Sequence, residues 1–231
     1  MSKILLIETA TSVCSVALAE EGRVVARRES DAPNAHSTQL PLFVKELIDG
    51  VKLDAVCVSA GPGSYTGLRI GVSSAKGLCY GLGIPLLSVP TLLGMACHYF
   101  RQHPDYRGLV CPMIDARRME CYTMIVQRSE VGVQRLRDTQ ADVIVPGIYD
   151  EWLDKGEVTF IGDGAEKTRD ILSAHSNARY DDSFRISAEG MLPLAEAKLA
   201  KGEVEDVAYF EPFYLKDFVA KKSVVHGLRE S

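Results

Sequence analysis

The order of elements predicts an α/β protein built on mixed sheets, and three observations support this. Three short apolar strands joined by tight turns open the chain. Helix and strand then alternate across glycine punctuation, and a shorter version of the same alternation follows a polar break near residue 104. The composition is that of a packed globular chain: 231 residues, 46% hydrophobic and 25% charged, enough to bury a real core.

Residues 3–9 read as a buried strand, and 13–19 and 23–29 as its antiparallel neighbours, separated by Glu20, Glu21 and Gly22. Leu40, Phe43, Val44, Leu47 and Ile48 fall at i, i+3, i+4, i+7 and i+8, one face of a helix over 37–49. Ser37 or Thr38 is placed to cap it, Pro41 is tolerated in its first turn, and Gly50 stops it. A strand over 55–59, a helix over 66–83, a strand over 86–89 and a helix from 91 to about 102 complete the first half. Antiparallel hairpins feeding parallel crossovers describe a sheet of the ribonuclease-H-like kind.

After His103, Pro104 and Asp105, strands over 109–116 and 121–127 flank Arg117, Arg118 and Met119. A strand over 158–162 passes through Gly162-Asp163-Gly164 into a helix over 165–173, and a helix over 191–201 ends at Gly202. This half reads as a reduced copy of the first. Two lobes follow, 1–104 and 105–231, with the last helix or the tail packing back on the first.

Twenty-six Lys plus Arg against 31 Asp plus Glu give a formal charge of −5, which argues against tight nucleic-acid binding by the chain alone. Cys14, Cys57, Cys79, Cys97, Cys111 and Cys121 contain no C-x-x-C pair, so neither a zinc cage nor a redox pair is expected. The apolar run at the start is only Ile4 to Ile7, and no stretch is long enough to span a bilayer. The expectation is a cytoplasmic protein with no membrane partner.

GPGSYTGLRIG, residues 61–71, is the most informative stretch. Gly61, Gly63 and Gly67 follow a strand and open a helix, where backbone N–H groups and the macrodipole favour an anion. The spacing is neither G-x-G-x-x-G nor a Walker loop, so a ligand-free tight turn is the competing reading. Ser64 lacks the flanking glycines of a nucleophile elbow and reads as a helix cap. Ser64 itself, Glu8 at a strand end, and Gly162 with Gly164 are further candidates for contact with a nucleotide or anion. His36, His98, His103, His175 and His226 form no metal-ligand spacing, so no metal site is expected. Gly67, Gly71, Ala75 and Cys79 recur every four residues, a stripe that lets a helix approach closely, within the domain or from another molecule.

Together, IETATSVCSVAL, GPGSYTGLRIG, MIDARRMECY, FIGDG and EPFYLK resemble the bacterial TsaB (YeaZ) family, a subunit of the tRNA threonylcarbamoyladenosine-forming machinery, over nearly the whole chain. Glu8 stands where the family more usually has aspartate. The resemblance implies an actin-like (ASKHA) fold of two ribonuclease-H-like lobes and a non-catalytic role beside a catalytic paralogue of the TsaD family. It further implies an ATPase subunit of the TsaE family, a homodimer when alone, and tRNA met through the complex. The positions of the paralogue's H-x-x-x-H metal pair map here onto Thr91 and Met95, neither of which replaces imidazole. No resident cofactor is expected, a nucleotide held weakly or at an interface being the exception left open.

In the family the first lobe's two helices make the dimer contact, which places Leu40, Val44, Leu47, Gly67, Gly71, Ala75 and Leu78 at the expected interface. On this reading a large residue at Gly71 blocks association and leaves the monomer folded. Arg117, Arg118, Lys216, Lys221 and Lys222 are candidates for tRNA contact, weighed against a solvated basic surface. The competing function classes are an ATP-dependent phosphotransferase on the same fold and, behind it, a glycoprotease-like hydrolase.

Overall fold

Each half of the chain builds a five-stranded mixed sheet, and the strand order is the same in both. The computed structural model describes residues 2–130 and 132–216; Lys221 and Lys222 lie outside the described residues. The first sheet comprises β1 (Lys3–Glu8), β2 (Cys14–Glu20), β3 (Arg23–Ser30), β4 (Ala55–Ser59) and β5 (Leu86–Val89), in the order β3-β2-β1-β4-β5. β1 runs antiparallel to β2 and parallel to β4, which runs parallel to β5. Its helices are α1 (Ala35–Thr38), α2 (Leu40–Ile48), α3 (Tyr65–Leu82) and α4 (Thr91–Gln102).

The second sheet comprises β6 (Leu109–Asp115), β7 (Glu120–Ser129), β8 (Gly132–Val143), β9 (Val158–Ile161) and β10 (Ala178–Tyr180), ordered β10-β9-β6-β7-β8. Counted from its own first strand, this is the order of the first sheet again. The antiparallel pairs β6-β7 and β7-β8 lie on one side and the parallel pairs β6-β9 and β9-β10 on the other. The short helices α5 (Asp150–Leu153) and α6 (Arg169–Leu172) and a final helix α7 (Leu192–Lys201) complete the fold. The expected pair of ribonuclease-H-like sheets in an actin-like arrangement is what the chain forms.

β1 is central, with Ile4 to Ile7 almost fully buried, because both faces of its sheet are covered. On one face, α2 and α3 bring Leu40, Val44, Leu47, Val72 and Ala75 onto Leu5, Ile7, Val56 and Val58. On the other, Ile4, Leu6, Cys57 and Leu87 meet Met191, Leu192 and Ala195, so α7 returns from the end of the sequence to close the first sheet. α4 buries Leu92, Met95, Tyr99 and Phe100 against Val110, Ile114, Met124 and Val126. Chain order puts α4 with the first sheet, but its core is shared with the second.

Three local readings differ from the sequence expectation. The helix expected over 37–49 is two pieces broken at Gln39, and the Ser37 and Thr38 hydroxyls donate back to the Asn34 carbonyl instead of capping α2. The helix expected over 165–173 is a 3-10 turn, Glu166–Thr168, followed by the single turn of α6. β8 and β10 are additional: β8 is a polar edge strand whose side chains are largely solvated, so its apolar alternation is weak. It is held by Asp142, buried at its end, which accepts from Thr123, Arg137 and the Tyr149 hydroxyl.

Candidate functional site

The glycine loop after β4 is drawn tightly onto the end of β1. Ser64 N–H donates to the Ala10 carbonyl at 2.6 Å, and Ala10 N–H donates to Glu8 Oε1 at 2.7 Å. Gly61 N–H donates to Thr91 Oγ1 at 3.0 Å, and Thr91 N–H returns to the Gly61 carbonyl. The Ser64 hydroxyl caps α3 by accepting from Gly67 N–H at 3.3 Å, so it serves as the cap that spacing suggested. Gly61, Ser64 and Gly67 therefore direct N–H groups of the candidate anion cradle to oxygens of the protein itself.

The glycines are needed because backbone passes backbone. A Cβ on Gly63 would lie 2.3 Å from the Ala10 carbonyl oxygen, and one on Gly67 would lie 2.1 Å from that of Thr9. On Gly71 it would lie 2.2 Å from Thr9 Oγ1, a buried hydroxyl without a hydrogen-bond partner among the described residues. The stripe Gly67, Gly71, Ala75 thus faces inward, which corrects the expectation that it forms an intermolecular contact. Leu40, Val44 and Leu47 are likewise buried in the core, so of the residues expected at the interface Leu78 alone is part-exposed, with Leu40 and Val44 reaching only the floor of the groove between the two helices.

Glu8 is buried at the end of β1, and burial pushes its carboxyl up to about 7, against the pull of hydrogen bonds from Ala10 and Ser59. Gly162 and Gly164 lie in the turn that follows β9 of the second sheet. A Cβ on Gly162 would lie 2.3 Å from the Met113 carbonyl oxygen, and one on Gly164 would lie 2.9 Å from the Ile114 carbonyl carbon. Both let the end of β9 close on the end of β6. Thr91 and Met95 are buried, with Thr91 engaged by Gly61 and the Met95 thioether against Gly162. Burial pushes His98 down to about 4, which keeps its imidazole neutral at physiological pH. No group of three or more His, Cys, Asp or Glu gathers among the described residues.

The outward side of α2 and α3 has a different character. A shallow groove of about 500 Å³ runs between them, lined by Leu40, Val44, Ile48, Ser74 and Leu78. Leu42, Tyr80 and Leu82 stand exposed on the same two helices, Tyr80 at 86%. Gly77 and Gly81 open onto this side with nothing among the described residues within 4 Å of a Cβ. A second four-residue stripe, Ser73, Gly77 and Gly81, was present in the sequence and was overlooked beside the longer run two residues out of phase.

The tail, expected as an alternative to the last helix to pack back on the first lobe, supplies a segment whose sealing of the glycine loop the sequence did not reveal. Glu205 N–H bridges to Leu86, Lys76 donates to the carbonyls of Ala208 and Phe210, and Phe213 N–H donates to Ala60 at 2.7 Å. Tyr214 then stacks against Tyr65 at 5.0 Å between ring centroids. EPFYLK has no periodicity to reveal this; its signal was the aromatic pair alone.

Residues 28–224 match the family model described as TsaD, tRNA N6-adenosine threonylcarbamoyltransferase. The chain is 35% identical over 230 residues to the tRNA threonylcarbamoyladenosine biosynthesis protein TsaB of Escherichia coli strain K12, covering 96% of this chain and 98% of that one. The tRNA N6-adenosine threonylcarbamoyltransferase of Thermosipho africanus is 30% identical over 131 residues, 48% of this chain and 39% of that protein. The solved structure of YeaZ from Pseudomonas aeruginosa superposes with a TM-score of 0.81 at 30% identity, covering 93% of this chain and all of that one. With sequence and fold agreeing from end to end, the chain belongs to the TsaB (YeaZ) family.

Proposed function

We propose that this chain is a non-catalytic scaffold subunit that docks on the catalytic TsaD-family paralogue and is required for threonylcarbamoylation of the tRNA adenosine next to the anticodon. The observation that carries the reading is the outward face of α2 and α3, where an apolar groove, two unobstructed glycines and three exposed apolar side chains lie together. Such a face admits a partner helix at short range. The same face serves a homodimer when the chain is alone, and a TsaE-family ATPase completes the assembly.

The scaffold reading is supported by Thr91 and Met95, a hydroxyl and a thioether where the resemblance places the paralogue's metal-binding imidazoles. A phosphotransferase reading is weakened because Gly61, Ser64 and Gly67 direct N–H groups into the protein. A hydrolase reading is weakened because the Ser64 hydroxyl is a helix cap. The chain then works without a resident cofactor, a nucleotide at the partner interface being measured in the same reconstitution.

The test is a modification assay on unmodified tRNA containing the paralogue, the ATPase subunit and the activated threonylcarbamoyl donor, with and without this chain. Product is expected only when the chain is present, and none from the chain alone. Product unaffected by its omission would overturn the reading. Leu78→Glu puts a charge into the groove and is expected to weaken pairing with the paralogue roughly tenfold or more, about 1.4 kcal/mol, with the thermal midpoint little changed. Unchanged affinity by titration calorimetry would move the docking face elsewhere.

A further inference from the structure

The tip of the β6-β7 hairpin carries a feature that neither packing nor docking through α2 and α3 uses. Arg117 and Arg118 are consecutive and both left-handed, with φ of 69° and 48°. Glycine, asparagine or aspartate ordinarily occupies such positions, because a larger side chain meets its own backbone there. The surroundings hold the strained turn in place. Asp115 Oδ1 accepts from Arg117 N–H at 2.7 Å, and Asp115 N–H donates to Asp163 at 3.1 Å. Lys167 reaches across from the second lobe's helical turn to the carbonyls of Arg118 at 2.9 Å and Glu120 at 2.6 Å, and pairs with Asp115.

The charge balance at this tip is unusual for an acidic protein. Asp115 is covered by Lys167 and Glu120 by Lys216. Burial raises the carboxyl of Asp163, which accepts from Asp115 N–H and faces Lys167. Both guanidinium groups are exposed and have no hydrogen-bond or ion-pair partner among the described residues. By contrast Arg27, Arg28, Arg101, Arg137, Arg169 and Arg179 each lie on a carboxylate. Arg69, Arg107, Arg128 and Arg185 donate to a hydroxyl or to carbonyls, while Arg23 is the further unpaired arginine among the described residues but sits alone. The molecule therefore neutralises the acids around the tip while leaving two arginines free, on a backbone conformation that glycine would occupy more cheaply.

From this juxtaposition we infer that the Arg117–Arg118 turn is a phosphate clamp that contacts the backbone of the RNA substrate. The inference rests on the tRNA-modification reading above. Planar guanidinium forks pair with phosphate oxygens, and a rigid turn holds both forks in a fixed relation before contact, so little ordering is required. A net charge of −5 is consistent with this, because the turn adds to an RNA surface shared across the assembly and is not an independent binding site.

The test is the double substitution Arg117→Gly with Arg118→Gly, which removes the forks and relieves the left-handed strain. Binding of the assembled complex to unmodified tRNA is measured over a range of salt concentrations, alongside thermal unfolding and gel filtration. The expected result is an unchanged or raised thermal midpoint, an intact complex, and tRNA affinity lower by roughly tenfold or more near 0.1 M salt. The plot of log affinity against log salt should become shallower by about two, one unit per lost phosphate contact.

Unchanged affinity and slope in an assembly whose wild type modifies tRNA would overturn the clamp alone. Disassembly of the complex would overturn it in favour of a protein contact, for which exposed Met119, Val143 and Val145 stand nearby. A wild-type assembly that makes no product would instead remove the reading on which the clamp rests.

Discussion

Gly67→Ala is expected to destabilise the folded monomer by about 3 kcal/mol or more, the opposite sign from an ordinary glycine-to-alanine change in a helix. Alanine is favoured over glycine inside a helix by roughly 1 kcal/mol, so propensity alone predicts a more stable protein. Here the new methyl would lie 2.1 Å from the Thr9 carbonyl oxygen, with β1 behind it. The oxygen belongs to the backbone of the central strand's exit, so relief requires α3 or the Thr9–Ala10 segment to move, and overpacking of this kind is costly. Gly77→Ala and Gly81→Ala are the matched controls within the same helix. With nothing among the described residues within 4 Å of either Cβ, each is expected to gain up to about 1 kcal/mol. Urea unfolding of the three variants decides the matter: a Gly67→Ala midpoint equal to or above wild type would mean that α3 does not bear on β1 as described. The same geometry revises the expectation for Gly71, where a large side chain strikes Thr9 in the core and unfolds the monomer before it reaches any partner.

The helix stripe shows what the sequence could and could not reveal. Four-residue spacing marked α3 as a helix made for close approach, and that much was legible. The spacing does not say which side is solvent, because Gly67, Gly71, Ala75 and Ser73, Gly77, Gly81 are both stripes of small residues on one helix. Only the position of β1 separates them. Among the strands, β1, β4 and β5 were legible because burial on both faces gives continuous apolar runs. β8 was not, because it is an edge strand, mostly solvated and held by one buried cluster around Asp142. The capping half of the Ser64 reading was legible from chemistry local to a helix start, while its candidacy as an anion contact was not decided by that chemistry. The closure of the glycine loop by Phe213 was illegible, since it depends on a backbone hydrogen bond between residues about 150 positions apart.

Glu8 carries the second large effect, and its sign is fixed by its burial. In the unfolded chain its proton leaves near the ordinary 4.5, whereas in the folded protein burial holds it to about 7. Between these values the native state binds a proton that the unfolded state has lost, so stability falls as pH rises through the window and levels above it. The loss amounts to about 3 kcal/mol across the window. Glu8→Gln keeps an acceptor for Ala10 N–H and removes the charge, so its unfolding free energy should lack this decline and exceed that of the wild type at pH 8. Parallel pH profiles for the two proteins would show that Glu8 ionises without penalty. The same titration bears on function. A magnesium nucleotide seated beside Glu8 favours the carboxylate and draws its midpoint down toward 4.5, because the ligand binds the charged form better. A midpoint that stays near 7 at saturating magnesium nucleotide assigns Glu8 to closing the loop through Ala10, which is the role its hydrogen bonds describe.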